Sequence, residues 1–78
     1  MVAKEEVVEK TVHLTGREAE VLRLIARGRS YSQVAAQLGM SANTVATHVK
    51  NAYRKLEVHT AASAVMRAIE LRLIEVGV

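Results

Sequence analysis

Apolar residues recur at helical spacing in four stretches of the chain, and each stretch is bounded by residues that begin or end helices. Thr15 and Ser30 each stand three residues before a Glu or a Gln, which is the pattern of a capping box. Gly28 and Gly39 suit the left-handed position that follows a helix, and Thr60 suits a helix start. The pattern predicts an all-α domain with four helices, at about 16–27, 31–38, 42–56 and 61–75.

The second and third predicted helices are joined by a three-residue turn at 39–41, which is the plan of a helix-turn-helix. Ala35 is small where the two helices would cross, and Gly39 accepts the positive φ that a sharp turn requires. Ser41 is a capping residue for the third helix. Apolar contacts beneath the turn are expected from Val34, Leu38, Met40, Val45 and Val49. This spacing predicts a helix-turn-helix.

The third predicted helix has an apolar stripe and, on its far side, a polar face. At 100° per residue the stripe consists of Val45, Val49, Ala52 and Leu56. The far side contains no acid and consists of Asn43, Thr47, Lys50, Asn51 and Arg54. Such side chains reach phosphates and base edges, and the major groove admits one helix. We expect this face to contact DNA, the alternative being an ordinary solvated face.

Charge is distributed unevenly along the 78 residues, whose formal net charge is +3. The block 21–56 has no acidic residue, and its basic residues are Arg23, Arg27, Arg29, Lys50, Arg54 and Lys55. A basic block without acidic residues is typical of a surface that binds a polyanion. The alternative is an ordinary basic surface that contacts only solvent.

Several classes of chemistry are excluded by composition. The chain has no Cys and no Asp, so disulfides, thiolate metal sites and aspartate-based catalysis are ruled out. The three His lack carboxylate companions at ligand spacing, and no phosphate loop, serine elbow or carboxylate pair occurs. No apolar run approaches the roughly 18 residues of a membrane span. We expect no catalytic residues, metal, cofactor or membrane partner.

Blocks of sequence distributed over about 14–70 resemble the DNA-binding domain of LuxR-type (LuxR/FixJ) bacterial transcription regulators. The blocks are Leu14-Thr15-Gly16-Arg17-Glu18, Val21-Leu22, Ala26-Arg27-Gly28, Val34-Ala35, Leu38-Gly39, Ser41, Thr44-Val45, His48 and Lys55-Leu56. The resemblance implies a four-helix domain whose third helix enters the major groove and whose fourth helix mediates dimerisation.

The resemblance also implies roles for individual residues. It places base contacts on Ala46, Thr47 and Lys50. Together with the polar face of the third helix, it places contacts with the DNA backbone on Tyr31, Ser41, Asn43, Thr44, Asn51 and Arg54.

The chain departs from the family pattern at positions that affect these roles. Gly16 stands where the family usually has Pro, so the first helix begins less rigidly. Ala46 replaces a frequent Lys or Arg, and its methyl group suits a thymine methyl better than a guanine. Tyr31 and Ser32 stand where Asn and Lys are common, which changes the phosphate contact at the second helix.

The fourth predicted helix is apolar over more of its circumference than one packing face requires. We expect the surplus to form a dimer seam of Val65, Met66, Ile69 and Leu73. The alternative is that residues 1–13, interpreted as an N-terminal tail or linker before the domain at 14–78, fold back over it.

The sequence therefore predicts a bacterial transcription regulator, or its excised DNA-binding domain, located in the cytoplasm at the nucleoid. Its partners would be an inverted-repeat operator in double-stranded DNA and a second copy in a weak homodimer, with RNA polymerase as a further candidate. Family members usually carry a receiver or sensory domain upstream. Two alternatives remain open, the DNA-reading region of a sigma factor and a helical protein-interaction module that ignores DNA.

Overall fold

The computed structural model describes residues 12–75 and contains four helices and no strand within them. The helices are α1 (Gly16–Ala26), α2 (Tyr31–Leu38), α3 (Ala42–Leu56) and α4 (Ala61–Glu70). The predicted all-α fold is confirmed, and the bounds of the first three helices agree to within one residue. In this part of the chain no helix has the length and apolarity needed to cross a membrane. The predicted tail or linker at 1–13 lies outside the described residues, except for Val12 and His13.

Each helix begins at a hydroxyl side chain that caps its first free amides. Thr15 with Glu18 and Ser30 with Gln33 form the two predicted capping boxes, with reciprocal hydrogen bonds between side chain and backbone. Helices α3 and α4 also begin at hydroxyl caps, and Ser41 is the cap of α3. These caps are local, since each joins residues three apart, and this is why the sequence pattern located the helix starts correctly.

Each helix is followed within two residues by a residue in the left-handed conformation, and these residues are Gly28, Gly39, Glu57 and Arg72. In every case the following amide donates to a carbonyl five residues earlier, at 2.8–3.1 Å, which is the Schellman arrangement. The two glycines adopt positive φ without strain, whereas Glu57 and Arg72 do so against the steric preference of a side-chain-bearing residue.

The fourth helix is shorter than predicted, because it ends at Glu70 and not near residue 75. Arg72 takes a φ of 61°, and the amide of Leu73 donates to the carbonyl of Ala68 at 2.8 Å. The turn directs Ile74 into the core, where its side chain is only 3% exposed. Burying Ile74 stabilises the fold by about 2 kcal/mol, more than the few tenths of a kcal/mol that each further turn of exposed helix would add.

One part of the core lies between α1, α2 and α3. Its buried members are Val21, Leu24, Val34, Ala35, Val45 and Val49, and Leu38 and Met40 pack against them. All of the residues predicted to lie beneath the turn therefore pack in this cluster. It holds α2 against α3 and makes the helix-turn-helix a rigid unit.

The other part of the core lies between α1, α3, α4 and the segment after α4. Its buried members are Leu22, Ala52, Leu56, Ala64, Ala68 and Ile74. The adjacent residues Val21 and Leu22 of α1 thus point into different clusters, and α1 packs on both. Because the buried stripe of α3 is used by these two clusters, the opposite side of α3 is left to solvent.

Candidate nucleic-acid interface

Helix α3 presents an exposed polar face, which consists of Asn43, Thr47, Lys50 and Arg54. The opposite stripe of α3 is no more than 3% exposed and consists of Val45, Val49, Ala52 and Leu56. Asn51, predicted for the same face, is half-buried at its edge. The helix contains no acidic residue, so an anion approaching the polar face of α3 meets no repulsive charge on that helix.

The three residues predicted to contact bases do not have equal reach. Lys50 is exposed and carries the longest side chain of the three. Thr47 is exposed, but its hydroxyl donates to the carbonyl of Asn43 at 3.1 Å, so the methyl group and the acceptor lone pairs remain available. Ala46 is half-buried and offers only its methyl group. Lys50 is therefore the main hydrogen-bond donor among the three.

Two helix starts that the sequence assigned to the DNA backbone are free of acidic residues. At the start of α3, the hydroxyls of Ser41 and Thr44 are exposed and lie 3.0 Å apart, and the Thr44 amide donates to Ser41 Oγ. At the start of α2, Tyr31 is 40% exposed. Neither first turn contains Asp or Glu. The positive end of each helix dipole is thus available to an anion.

The two tyrosines, which are the only aromatic residues of the chain, meet between α2 and α3. Burial raises the pKa of Tyr53, and the charge and the hydrogen bond of Tyr31 raise this pKa further. Sequence reasoning singled out Tyr31 but missed Tyr53, whose only signal was its position beside the apolar stripe of α3.

The acid-free basic block does not fold into one surface. Lys50 and Arg54 lie on the polar face of α3. Arg23 and Arg27 instead line a cleft with the segment after α4, and no residue of α3 borders that cleft. The linear run of charge therefore overstates the positive charge that a duplex on α3 would meet.

Lys55, another member of the basic block, is used inside the domain. Its Nζ lies 2.7 Å from Oε1 of Glu18, which is 4% exposed. Burial acts to raise the pKa of the Glu18 carboxyl. The hydrogen bonds from Lys55 and from the Thr15 amide, together with the Lys55 charge, outweigh burial and hold this pKa below its ordinary value. Lys55 is thus a structural cation, and sequence reasoning found only the capping part of this arrangement.

The residues predicted for a dimer seam divide into two groups. Met66 and Ile69 are 63% and 41% exposed on α4. Val65 is half-buried against the protomer's own core, and Leu73 packs on the same cluster beyond the end of the helix. Leu71, also 41% exposed, adds to the exposed apolar area. The surface available to a partner is therefore centred on Met66 and Ile69, and the seam itself stays a prediction.

A rigid helix-turn-helix with an exposed, acid-free polar face on its second helix defines the class of helix-turn-helix DNA-binding domains. Residues 9–68 match the family model described as bacterial regulatory proteins, luxR family, and the chain belongs to that family. The predicted LuxR-type resemblance is confirmed. The family is one of DNA-binding transcription regulators and not of enzymes.

Similar proteins include both regulators and solved DNA-binding structures. The transcriptional activator protein CarR of Pectobacterium carotovorum subsp. carotovorum is 45% identical over 60 residues, which are 77% of this chain and 25% of CarR. The structure of the transcription factor GerE matches with a TM-score of 0.76 and 34% identity, over 80% of this chain and 92% of GerE. VqmA, from a Vibrio cholera VqmA–ligand–DNA complex, matches with a TM-score of 0.71 and 25% identity, over 88% and 30% of the two chains. This chain thus corresponds to about a quarter of CarR.

Proposed function

We propose that this domain regulates transcription by inserting α3 into the major groove of an operator. The observation that carries the proposal is the polar face of α3, which is exposed, acid-free and held by a rigid core behind it. A major groove is wide enough for one helix, and its base edges present acceptors and donors at the reach of these side chains. That VqmA was solved with DNA supports the same use of the shared fold.

In this proposal Lys50 is the main base reader, with Thr47 and Ala46 beside it. An ammonium group donates to the O6 and N7 acceptors of guanine, whereas the methyl groups of Thr47 and Ala46 favour contact with a thymine methyl. Each protomer would discriminate between few base pairs, because it has only one long side-chain donor among its base readers.

Contacts with the DNA backbone would position the helix without reading sequence. The exposed helix starts supply hydroxyl and backbone amide donors. The polar face of α3 and its edge supply side-chain amides and a guanidinium group. The residues we assign to this role are Tyr31, Ser41, Asn43, Thr44, Asn51 and Arg54. For Tyr31 the support is its exposed position at the acid-free start of α2.

A second copy of the domain would complete the site. One recognition helix contacts a handful of base pairs, too few for selectivity in a genome, and two-fold pairing demands an inverted repeat with half-sites one helical turn apart. The exposed area around Met66 and Ile69 is one helix long, so the free dimer would be weak and DNA would promote its assembly. Such a regulator would act at the nucleoid, with RNA polymerase as a candidate partner.

The proposal is tested by separating the base reader from a phosphate contact. We expect Lys50→Ala to weaken the cognate duplex by about 1–3 kcal/mol and to relax preference at one base pair. Arg54→Ala, a matched loss of one charge, should weaken cognate and random duplexes alike and lower the slope of log K against log salt by about 0.9. Fluorescence anisotropy on both duplexes at several salt concentrations measures this. If Lys50→Ala lowers the affinity for cognate and random DNA equally, Lys50 does not read a base.

A further inference from the structure

A cleft of about 440 Å³ lies between α1 and the segment that follows α4. It is lined by Arg23, Arg27, Arg72, Leu73, Ile74 and Glu75. A second cleft of the same volume adjoins it and is lined by Ile69, Arg72, Ile74 and Glu75. We call the two together the arginine cleft. Among the described lining residues, three guanidinium groups thus share one concave surface with a single carboxylate.

The arginine cleft contains positive charge that the described residues do not neutralise. Arg23 lies on α1 and Arg27 directly follows that helix, and Arg72 adds a third permanent positive charge to the same cleft. Within the described residues none of the three forms an ion pair. Arg72 also holds a φ of 61°, where glycine would be unstrained. Three permanent positive charges that line one concave surface without an ion pair are available to an anionic ligand.

A duplex bound to α3 would not fill the arginine cleft. Helix α1 packs against the buried stripe of α3, and the polar face of α3 points away from α1. No residue of α3 lines the cleft. The cleft and the polar face of α3 therefore share no residue, so a partner in the cleft would not compete with DNA for a side chain.

We propose that the arginine cleft binds an acidic segment of a second protein while α3 engages DNA. Arginine forks pair with carboxylates through two parallel hydrogen bonds, which makes acidic side chains the matching ligand. Leu73 adds an apolar contact that a free anion would not use. Glu75 disfavours a densely charged phosphate chain over a peptide that interleaves acidic and apolar residues.

The test uses a fluorescein-labelled peptide of alternating glutamate and leucine, titrated with the whole chain by fluorescence anisotropy. We expect Arg23→Gln to weaken the peptide complex about 10-fold, since one charge-assisted pair is lost. Arg54→Gln removes the same charge from the polar face of α3 and should leave the peptide affinity within about twofold. A peptide with glutamine in place of glutamate should not bind.

A second variant separates loss of binding from loss of folding. Arg72→Gly removes a guanidinium group and also relieves the strained φ, so it should raise the melting temperature while weakening the peptide about 10-fold. The proposal is overturned if Arg72→Gly and Arg23→Gln bind the peptide as the unmodified chain does, or if Arg54→Gln weakens it equally. It is also overturned if a saturating duplex displaces the peptide, or if Arg23→Gln changes the sedimentation coefficient of the free protein, which would make the cleft a contact between copies.

Discussion

One carboxylate, that of Glu18, connects three parts of the domain. Its Oε1 accepts hydrogen bonds from the Thr15 amide at 2.9 Å and from Lys55 Nζ at 2.7 Å. The first bond completes the capping box of α1, and the second joins α1 to the last turn of α3. Breaking the ion pair would leave the carboxylate buried without its cation, and only the hydrogen bonds from Thr15 would then oppose the burial that raises its pKa.

We expect Lys55→Gln to lower the free energy of unfolding by about 1–2 kcal/mol at pH 7. The loss is moderate because Lys55 is partly exposed, and solvent therefore screens its interaction with Glu18. Arg17→Gln is the matched control, since its ion pair with Glu20 at 3.1 Å is exposed at both ends. That control should change stability by at most about 0.5 kcal/mol. Urea denaturation followed by circular dichroism measures both.

The same pair predicts a pH dependence of defined sign. The pKa of Glu18 in the folded chain is lowered, so its contribution to stability is present above the pKa of the unfolded chain and is lost as the pH falls through the folded value. The difference between the unmodified chain and Lys55→Gln should therefore shrink between neutral pH and pH 3. A difference that is equal at both pH values would assign the effect to packing of the lysine stem.

At the scale of the elements, helix ends differ from helix starts in how much strain they contain. All four starts use hydroxyl caps, which are unstrained. Of the four ends, Gly28 and Gly39 are relaxed while Glu57 and Arg72 hold positive φ with a side chain. The turn between α2 and α3 sets the orientation of α3, and its residue with positive φ is Gly39, which adopts this conformation without strain.

We expect Gly39→Ala to destabilise the domain by about 1 kcal/mol, because alanine is strained at a φ of 69°. An added Cβ at Gly39 meets no atom within 4 Å, so the loss arises from the backbone alone. Gly16→Ala is the control, since Gly16 also has open space but no positive φ, and it should stabilise by about 0.5 kcal/mol. Thermal unfolding of both variants measures the sign of each change in stability. Equal effects of the two substitutions would contradict the backbone argument.

At the scale of the whole molecule, the two core clusters determine which apolar residues remain for a partner. The cluster around Leu22 and Ile74 takes up one side of α4 and the segment beyond it. It leaves Met66, Ile69 and Leu71 exposed. Val65 is a poor site for a disruptive charge because it packs on the protomer's own core. Met66, the most exposed of these residues, is the better probe of the dimer.

We expect Met66→Glu to stay folded, with a change in stability below about 0.5 kcal/mol, since the side chain is on the surface. It should keep weak non-specific binding and lose cooperative occupancy of a duplex with two half-sites. Arg67→Gln lowers the net charge equally from a position about 100° round the helix, and it should keep cooperativity. Electrophoretic mobility shifts on one-site and two-site duplexes distinguish the two variants. A folded Met66→Glu that still fills both half-sites cooperatively would place the dimer seam elsewhere.

Local pattern alone determined most of the fold and one surface of the candidate site. The helix starts, the turn at Gly39 and the exposed side of α3 all follow from residues three to seven apart, within the reach of caps and helical periodicity. That is why the four helices, the two capping boxes and the polar residues of α3 follow from the sequence alone. The family resemblance came from the same local blocks.

Tertiary structure decided what depends on residues distant in sequence. Lys55 pairs with Glu18 across 37 positions, and Tyr31 meets Tyr53 across the turn. The end of α4 and the arginine cleft both depend on Ile74 entering the core beside α1. Helical periodicity describes one helix at a time and contains no information on the distances between helices. The prediction from sequence therefore extended α4 too far and treated as one block basic residues that the fold places on separate surfaces. Only packing shows which cations lie on the polar face of α3, which one pairs with a buried carboxylate and which line the arginine cleft.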